Sequence, residues 1–450
     1  MNKTAAFLSL GCKVNSYETE AIRGMFEASG YKIVDFKELA DVYVVNTCTV
    51  TNIADRKSRQ MLHQARKRNP DAVIAAVGCY VQAAEEDLLK DSSVDLVVGN
   101  NKKSELLGLV ENYRLERDNH NDVNDSVVVD IGSERVYEEL EVMSTMDKTR
   151  AFIKIQDGCN RFCSYCIIPY VRGRVRSRDE GDILKEITKL TQIGYKEFVL
   201  TGIHLSSYGI DKLDDVDGLY KLMPLASLLK SISKIPGVSR IRLGSLEPRI
   251  ITEEFVKELA GIEQFCPHFH LSLQSGSNTV LKRMNRKYSA EEYYEKVELL
   301  RRYFKNPAFT TDVIVGFPGE SNEEFEETFD FVKRIGFSDI HVFKYSRREG
   351  TKAANMPNQI PKDIMQERSN KLIGLAERMA KDYQELFMGR IEKILVEEEL
   401  IIDGVRYQVG HNERYLKLAI LTDDNYVNQI LEVSVENHLT KDILVCKKII

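Results

Sequence analysis

A chain of 450 residues, 43% hydrophobic and 29% charged, is too long for one ordinary core and reads as a globular protein of two or three domains. Its net charge of −6 excludes a protein that coats nucleic acid through bulk charge, so any RNA contact must come from local basic patches. Eight cysteines are too sparse for a disulfide scaffold, and no apolar run is long enough to cross a bilayer, which makes the cytoplasm the expected compartment and metal binding the expected use of clustered thiols.

In chain order, the first 112 residues alternate short apolar runs with amphipathic stretches. AAFLSL, DVYVVN, AVIAAV and VDLVVG predict strands, and helices are predicted near 17–28, 53–68 and 83–90. The opening MNKTAAFLSLGCK holds too short an apolar stretch for a secretory signal and reads as the first strand. Strands separated by helices predict an α/β fold with a doubly wound parallel sheet covered on both faces. Residues 113–147 are charged, include NHNDVNDS, and predict a linker with one hairpin.

A second βα series fills 148–387, with strands AFIKIQ, EFVLTG, SRIRLGS, HFHLSLQ, FTTDVIVGF and DIHVFKYS. Helices between them are predicted near 182–192, 251–260, 290–304 and 322–335, and a long one near 362–386 closes the series. Six such units predict a (βα)6 partial barrel whose working end lies at the strand C-termini. From 388 to 450 the texture becomes short β segments with frequent turn signals, which predicts a small all-β barrel or sandwich.

The densest chemical signal is DGCNRFCSYCIIPY at 157–170, where Cys159, Cys163 and Cys166 share one loop after the first barrel strand in C-x3-C-x2-C spacing. Three sulfurs on one loop can hold three irons of a [4Fe–4S] cube and leave the fourth iron open to a chelating small molecule. A structural zinc would need a fourth ligand. No fourth cysteine stands nearby, and the nearest downstream histidine is His204. Three further cysteines, Cys12, Cys48 and Cys79, each close an apolar strand. In an open parallel sheet such edges form one crevice, so their repeated placement predicts a second cluster rather than three small buried hydrophobes. Cys266 and Cys446 have no such partners and keep the blander reading.

Polar groups at later strand ends are candidates for contact with a small ligand. They are Gly202, where the backbone can be approached closely, then Ser245 and Glu247, and Gln274. Turn and cap roles explain the neighbouring SGS (275–277) and GFPGE (316–320) equally well.

Two cysteine triplets, one before and one inside the predicted barrel, followed by a small β domain, resemble the radical S-adenosylmethionine methylthiotransferase family over nearly the whole chain. Tyr165 stands where that superfamily usually carries an aromatic, and YSRREGTKAA (345–354) is similar to the family's segment after the last barrel strand. The resemblance implies that Cys159, Cys163 and Cys166 hold the cluster that binds S-adenosylmethionine, contacted also by Tyr165, and that Cys12, Cys48 and Cys79 hold an auxiliary [4Fe–4S] cluster. It also implies that the terminal domain is an RNA-binding TRAM module. SLGCKVNSYE is similar to the branch acting on N6-threonylcarbamoyladenosine in tRNA. The isopentenyladenosine branch typically has Gln-Met after that cysteine, and the ribosomal-protein branch Pro-Lys.

The activity so implied is methylthiolation of C2 of the adenine. One S-adenosylmethionine methylates a sulfur at the auxiliary cluster. A second yields a 5′-deoxyadenosyl radical that activates C2, with an electron-donor protein and a sulfur source as partners. No side chain has a pKa suited to an aromatic C–H, so no catalytic acid or base is assigned. A ribosomal-protein or isopentenyladenosine methylthiotransferase is the rival within the class, and an iron–sulfur RNA-binding protein without turnover the rival outside it.

For the tRNA anticodon stem-loop, the basic candidates are Arg56, Lys57, Arg59, Arg66, Lys67 and Arg68 on one predicted helix, and Arg172, Arg174, Arg176 and Arg178 beside the cluster loop. A solvated charged face explains any single one equally well. The terminal domain contains VEEE and TDDN and is not visibly basic, so its RNA role rests on the resemblance.

Overall fold

The computed structural model describes residues 3–118, 125–142, 149–213 and 223–449. Six parallel strands make the first sheet: β1 (Thr4–Ser9), β2 (Lys32–Val34), β3 (Val42–Thr47), β4 (Val73–Gly78), β5 (Leu96–Val98) and β6 (Asp125–Val127), in the order β2-β1-β3-β4-β5-β6. VYVVNT and VIAAVG are buried along their whole length, as strands covered on both faces must be. Helices Lys13–Ala28 and Leu106–Asp118 bury Ile22, Phe26, Leu106 and Val110 against one face. Helix Asn52–Arg68 buries Leu62 and Ala65 against the other.

The sheet therefore continues past residue 112, because β6 comes from the stretch expected to be linker. Its partner β5 needs only backbone groups, which a polar segment supplies as well as an apolar one. The chain after β6 is also packed. Leu140 and Val142 join Tyr17 and Ala21 in an apolar cluster, and the Tyr137 hydroxyl donates to the Lys154 carbonyl at 2.9 Å. Among the described residues this segment forms no hairpin; 119–124 and 143–148 lie outside them.

The second unit is the expected partial barrel. Its strands are β7 (Arg150–Asp157), β8 (Arg176–Ser177), β9 (Glu197–Gly202), β10 (Arg240–Leu243), β11 (His268–His270), β12 (Ala308–Val315) and β13 (Asp339–Lys344). β7, β9 and β10 pair in parallel, as do β11, β12 and β13. Parallel bridges Ile241–Phe265 and Leu246–Leu271 join the two groups, while the short β8 runs antiparallel on the end of β7. Ala151, Ile153 and Ile155 face the helical layer, so by the period of two Arg150, Phe152, Lys154 and Gln156 face inward. The helix Asn322–Ile335 opens on a Ser321–Glu324 capping box and ends at Gly336 with φ +68°, a start and stop signal at each end.

Helix Lys362–Glu385 leads to five strands, β14 (Ile391–Ile402), β15 (Val405–His411), β16 (Lys417–Leu421), β17 (Ile430–His438) and β18 (Ile443–Lys448), closed in the order β14-β15-β16-β18-β17. Closure leaves no free sheet edge. This small barrel sits on the N-terminal ends of the larger barrel's strands. Arg240 donates to the carbonyls of His411 (2.9 Å) and Lys393 (2.7 Å), and Arg242 to those of Glu413 (2.9 Å) and Asn412 (3.3 Å). The Tyr415 ring stacks on His411 at 4.4 Å and His268 at 5.3 Å. No helix among the described residues is long and apolar enough to cross a membrane.

Candidate metal centres and substrate cavity

At three of the six site cysteines, the residue before the cysteine is a glycine with positive φ: Gly11 and Gly78 at +98° and Gly158 at +70°. Each turns the chain sharply off a strand end and leaves the thiol at the edge. At Gly11 the requirement is also spatial, since a Cβ would stand 2.6 Å from Cys48 Sγ. The loops of Cys12 and Cys48 thus meet through a glycine. Cys12, Cys48 and Cys79 lie close enough that the neighbouring thiols push the Cys12 and Cys48 thiols up, on top of the larger effect of burial; Cys48 reaches about 11. The three N-terminal cysteines therefore share one edge of the sheet, Cys48 and Cys79 buried and Cys12 set among protein groups there but still open to solvent on one side.

On the barrel loop, the Cys159 amide donates to the Gly173 carbonyl and the Cys166 amide to the Cys163 carbonyl, both at 3.0 Å. The Arg161 amide donates to Cys159 Sγ at 3.4 Å, and Arg286 Nη1 to Cys163 Sγ at 3.3 Å. Burial pushes Cys159 up to about 11 and Cys166 up to about 12. Thiols so held are poor nucleophiles and become thiolates when a metal takes the proton's place. Among the described residues no three His, Cys, Asp or Glu side chains converge on one ion-sized point.

The fit to an anionic cluster shows most plainly beside Cys79. Arg172 is fully buried and donates from Nε to Cys79 Sγ at 3.1 Å, from Nη1 to Glu18 at 2.7 Å and Asp157 at 3.1 Å, and from Nη2 to Asn15 Oδ1 at 2.7 Å. Lys154 pairs with Glu18 at 2.8 Å and Asp157 at 2.6 Å, and Lys103 with Glu18 at 3.2 Å. Burial alone would raise the Glu18 carboxyl, but Arg172, Lys103 and Lys154 hold it well below the ordinary range. Three buried cations thus face two buried carboxylates, and Arg176 stands 4.0 Å from Asp157 with Nε and Nη2 unpartnered. Such a positive excess is costly unless an anion offsets it, and a cube held by three thiolates is net anionic.

Arg172, Arg176 and Arg178 consequently do not serve as phosphate contacts. Each is at most 2% exposed, and Arg178 is spent on Glu186 and on Glu139 at 2.9 Å. Arg174 is exposed, over the Phe162 ring. On the basic helix Arg56, Lys57 and Arg59 are exposed, whereas Arg66 is tied to Asp95 at 2.6 Å and to the Pro70 and Ala72 carbonyls.

Gln274 and Glu247 are tied to the barrel loop, and Gly202 to the strand before it. The Tyr165 hydroxyl donates to Gln274 Oε1 at 2.8 Å. Glu247, buried, pairs with Arg161 at 2.5 Å and His204 at 3.3 Å, which keep it ionised near 2 against the effect of burial. Gly202 packs on Gln156, whose Oε1 a Cβ would approach to 2.9 Å. Ser245 is exposed on the loop after β10. Sequence reasoning missed Arg286 and Arg161; only the basic character of KRMNRK pointed toward the first.

Residues 153–332 match the family described as the radical SAM superfamily, and residues 4–99 the one described as uncharacterized protein family UPF0004. The chain is 43% identical to the threonylcarbamoyladenosine tRNA methylthiotransferase MtaB of Bacillus subtilis (strain 168), over 96% of this chain and 93% of that protein. It is 43% identical to the Aquifex aeolicus (strain VF5) protein of the same name over 88% and 93%. A tRNA-2-methylthio-N(6)-dimethylallyladenosine synthase of Clostridium novyi (strain NT) is 37% identical over 88% and 86%. In fold the chain is similar to the radical S-adenosylmethionine methyltransferase TsrM of Kitasatospora setae, solved with cobalamin and a [4Fe–4S] cluster bound, with a TM-score of 0.57, 15% identity, and coverage of 78% of this chain and 77% of that one.

Proposed function

The chain belongs to the family of radical S-adenosylmethionine tRNA methylthiotransferases, and from that membership we propose that it adds a methylthio group to C2 of N6-threonylcarbamoyladenosine beside the anticodon of tRNA. The observation that carries this reading is the pair of thiol triplets, one on the sheet edge and one on the barrel loop, joined by Arg172 and Asp157. Identity of 43% to named threonylcarbamoyladenosine enzymes over nearly full length supports the choice of nucleoside.

When bound, two [4Fe–4S] clusters and S-adenosylmethionine supply the electron, the reactive carbon and the methylated sulfur that a C–H bond without acid–base character requires. The chain's own residues bind and orient. Cys159, Cys163 and Cys166 hold one cluster and Cys12, Cys48 and Cys79 the other. Arg286 and the Arg161 amide donate to the first set of sulfurs, and Arg172 to the second, which steadies negative charge there. Gly202, Ser245 and Gln274 stand at the strand ends that would hold S-adenosylmethionine, and the Glu247–Arg161 pair braces the cysteine loop. Arg56, Lys57, Arg59 and Arg174 position phosphates of the anticodon stem-loop, with the terminal barrel as a TRAM-like aid. An electron-donor protein and a sulfur source complete the cycle in the cytoplasm.

Mass analysis of tRNA nucleosides from a strain lacking this chain tests the reading. The 2-methylthio derivative of N6-threonylcarbamoyladenosine should vanish, its unthiolated precursor accumulate, and both return to normal on complementation. Loss of the isopentenyl derivative instead would move the chain to the other tRNA branch.

A further inference from the structure

We propose that Arg348 is a positioning residue, the anchor of a strut that holds the loop of Cys48 in place against the cysteine loop of the barrel, an inference that rests on the two-centre reading above. The strut is the segment YSRREGTKAA (345–354), which follows β13 and contributes no thiol to either triplet.

At one end its contacts cross to the N-terminal sheet. Arg348, buried, donates from Nη1 to Asp55 Oδ2 at 2.6 Å and Asn52 Oδ1 at 2.7 Å, and from Nη2 to Thr49 Oγ1 at 2.7 Å. The Thr49 hydroxyl donates onward to Asp55 Oδ1 at 2.7 Å, so guanidinium, hydroxyl and carboxylate close a ring. Beside it the Asn52 amide donates to Ser346 Oγ at 3.3 Å, and Asn52 Nδ2 to the Arg347 carbonyl at 3.2 Å. Thr49 is the residue after Cys48. Ser58, on the helix that carries Asp55, accepts from the Cys48 amide at 3.3 Å and donates to its carbonyl at 3.2 Å. Cys48 is thus held by its own domain and, one residue along, by the barrel.

The other end seats on the barrel's cysteine loop. Gly350, with φ +79°, turns the chain back, and the Thr351 hydroxyl and amide both donate to the Arg348 carbonyl, at 2.7 and 3.2 Å. The Ala353 amide then donates to the Ser164 carbonyl at 2.8 Å, with Ala353 buried among Val280, Met284 and Phe317. Ser164 directly follows Cys163. The short stretch from 348 to 353 therefore grips the neighbour of a cysteine in each triplet.

A planar guanidinium spread over three acceptors permits one orientation, whereas two domains of one chain are by default free to shift. The proposed reaction draws on both centres for a single carbon, and a misplacement of about 1 Å can cost on the order of a hundredfold in rate. Arg172 ties the domains at Cys79. Arg348 ties them at Cys48, so the sheet edge cannot pivot about a single contact.

The test compares the reconstituted full-length enzyme with Arg348→Met, Arg348→Lys and Thr49→Val, using the natural anticodon stem-loop, S-adenosylmethionine and dithionite. Iron content reports loading, and 5′-deoxyadenosine and methylthiolated nucleoside are measured separately. Arg348→Met should still form 5′-deoxyadenosine, while methylthiolated product per 5′-deoxyadenosine falls by about tenfold. Thr49→Val, which keeps the Asp55 pair, should shift that ratio the same way by less, and carries the test if Arg348→Met does not load iron. Arg348→Lys should recover part of the loss. Amides 49–55 of the loaded Arg348→Met and Thr49→Val enzymes should exchange hydrogen faster than in the wild type, with the terminal barrel unchanged. A contact that only adds stability would lower both products together. An unchanged ratio, or unchanged exchange around Thr49, overturns the inference alone. A wild-type enzyme that forms 5′-deoxyadenosine but never methylthiolates the stem-loop overturns the proposed function, and the inference with it.

Discussion

The Nε of Arg172 stands 3.1 Å from the Sγ of Cys79, so a guanidinium from the barrel domain donates directly to a thiol of the N-terminal sheet. The same side chain binds Glu18 and Asp157, one from each domain. Removing it leaves two buried carboxylates short of a partner, which costs about 3–5 kcal/mol. In Arg172→Met the iron content should fall by about half as the sheet-edge cluster is lost, and the unfolding midpoint should drop. Arg172→Lys should restore only part of either. Full iron content with an unchanged midpoint in the methionine variant would show the contact to be incidental.

Gly11→Ala should act on the same centre by a steric route. The added Cβ would meet Cys48 Sγ at 2.6 Å in a backbone with φ +98°, a strain on the order of 1–3 kcal/mol. Gly30 also has a positive φ of +86° but faces open space. Gly30→Ala should therefore lower stability by about 1 kcal/mol and leave iron loading intact. Equal loading in the two variants would refute the steric argument.

For RNA, charge removal at exposed and engaged positions should separate cleanly. The triple variant Arg56→Ala, Lys57→Ala, Arg59→Ala should weaken stem-loop binding and flatten its dependence on log salt, by a slope change of up to about 2 to 3 for three phosphate contacts. Arg66→Ala should lower the melting temperature through its lost Asp95 pair and leave the salt slope unchanged. A triple variant with the wild-type slope would move the RNA footprint elsewhere.

Acid should loosen the seam between the two barrels. Burial, then Arg242 and other nearby cations, hold His268 well below its usual pKa, and His411 is lowered too, by burial most. The unfolded chain takes up protons below about pH 6.5 while the folded form refuses them. The stability tied to neutral His268 is thus complete above that pH and lost as pH falls toward the folded value, at up to about 1.4 kcal/mol per pH unit. Denaturant midpoints between pH 7 and 5 should fall less steeply in His268→Phe, which keeps the stacking on Tyr415 but cannot titrate. An identical slope in the variant would assign the effect to other groups.

Much of this architecture was legible in the amino-acid order, and the misses share a cause. The six barrel strands announce themselves because apolar runs alternate with amphipathic helices, and Asn322–Ile335 is bounded by its own cap signals. Both cysteine triplets were visible from strand ends and spacing, and the loops of Cys12 and Cys48 meet at Gly11. Arg172 was misjudged because a basic run reports charge and not partners, and its carboxylate at Glu18 lies 154 positions away in the chain. β6 escaped notice because its three residues, Asp125–Val127, begin inside a polar stretch and are too few to show a strand period.

The seating of the terminal barrel also decides how its own role can be studied. Four of its backbone oxygens quench the guanidiniums of Arg240 and Arg242. A chain truncated at residue 388 would open the floor of the barrel and leave two guanidiniums there with Glu197 as their shared partner. A truncation mutant that fails on tRNA would then report a broken foundation, not a missing grip. Point changes on the outward strands of that domain, away from Tyr415 and His411, are the way to tell grip from foundation.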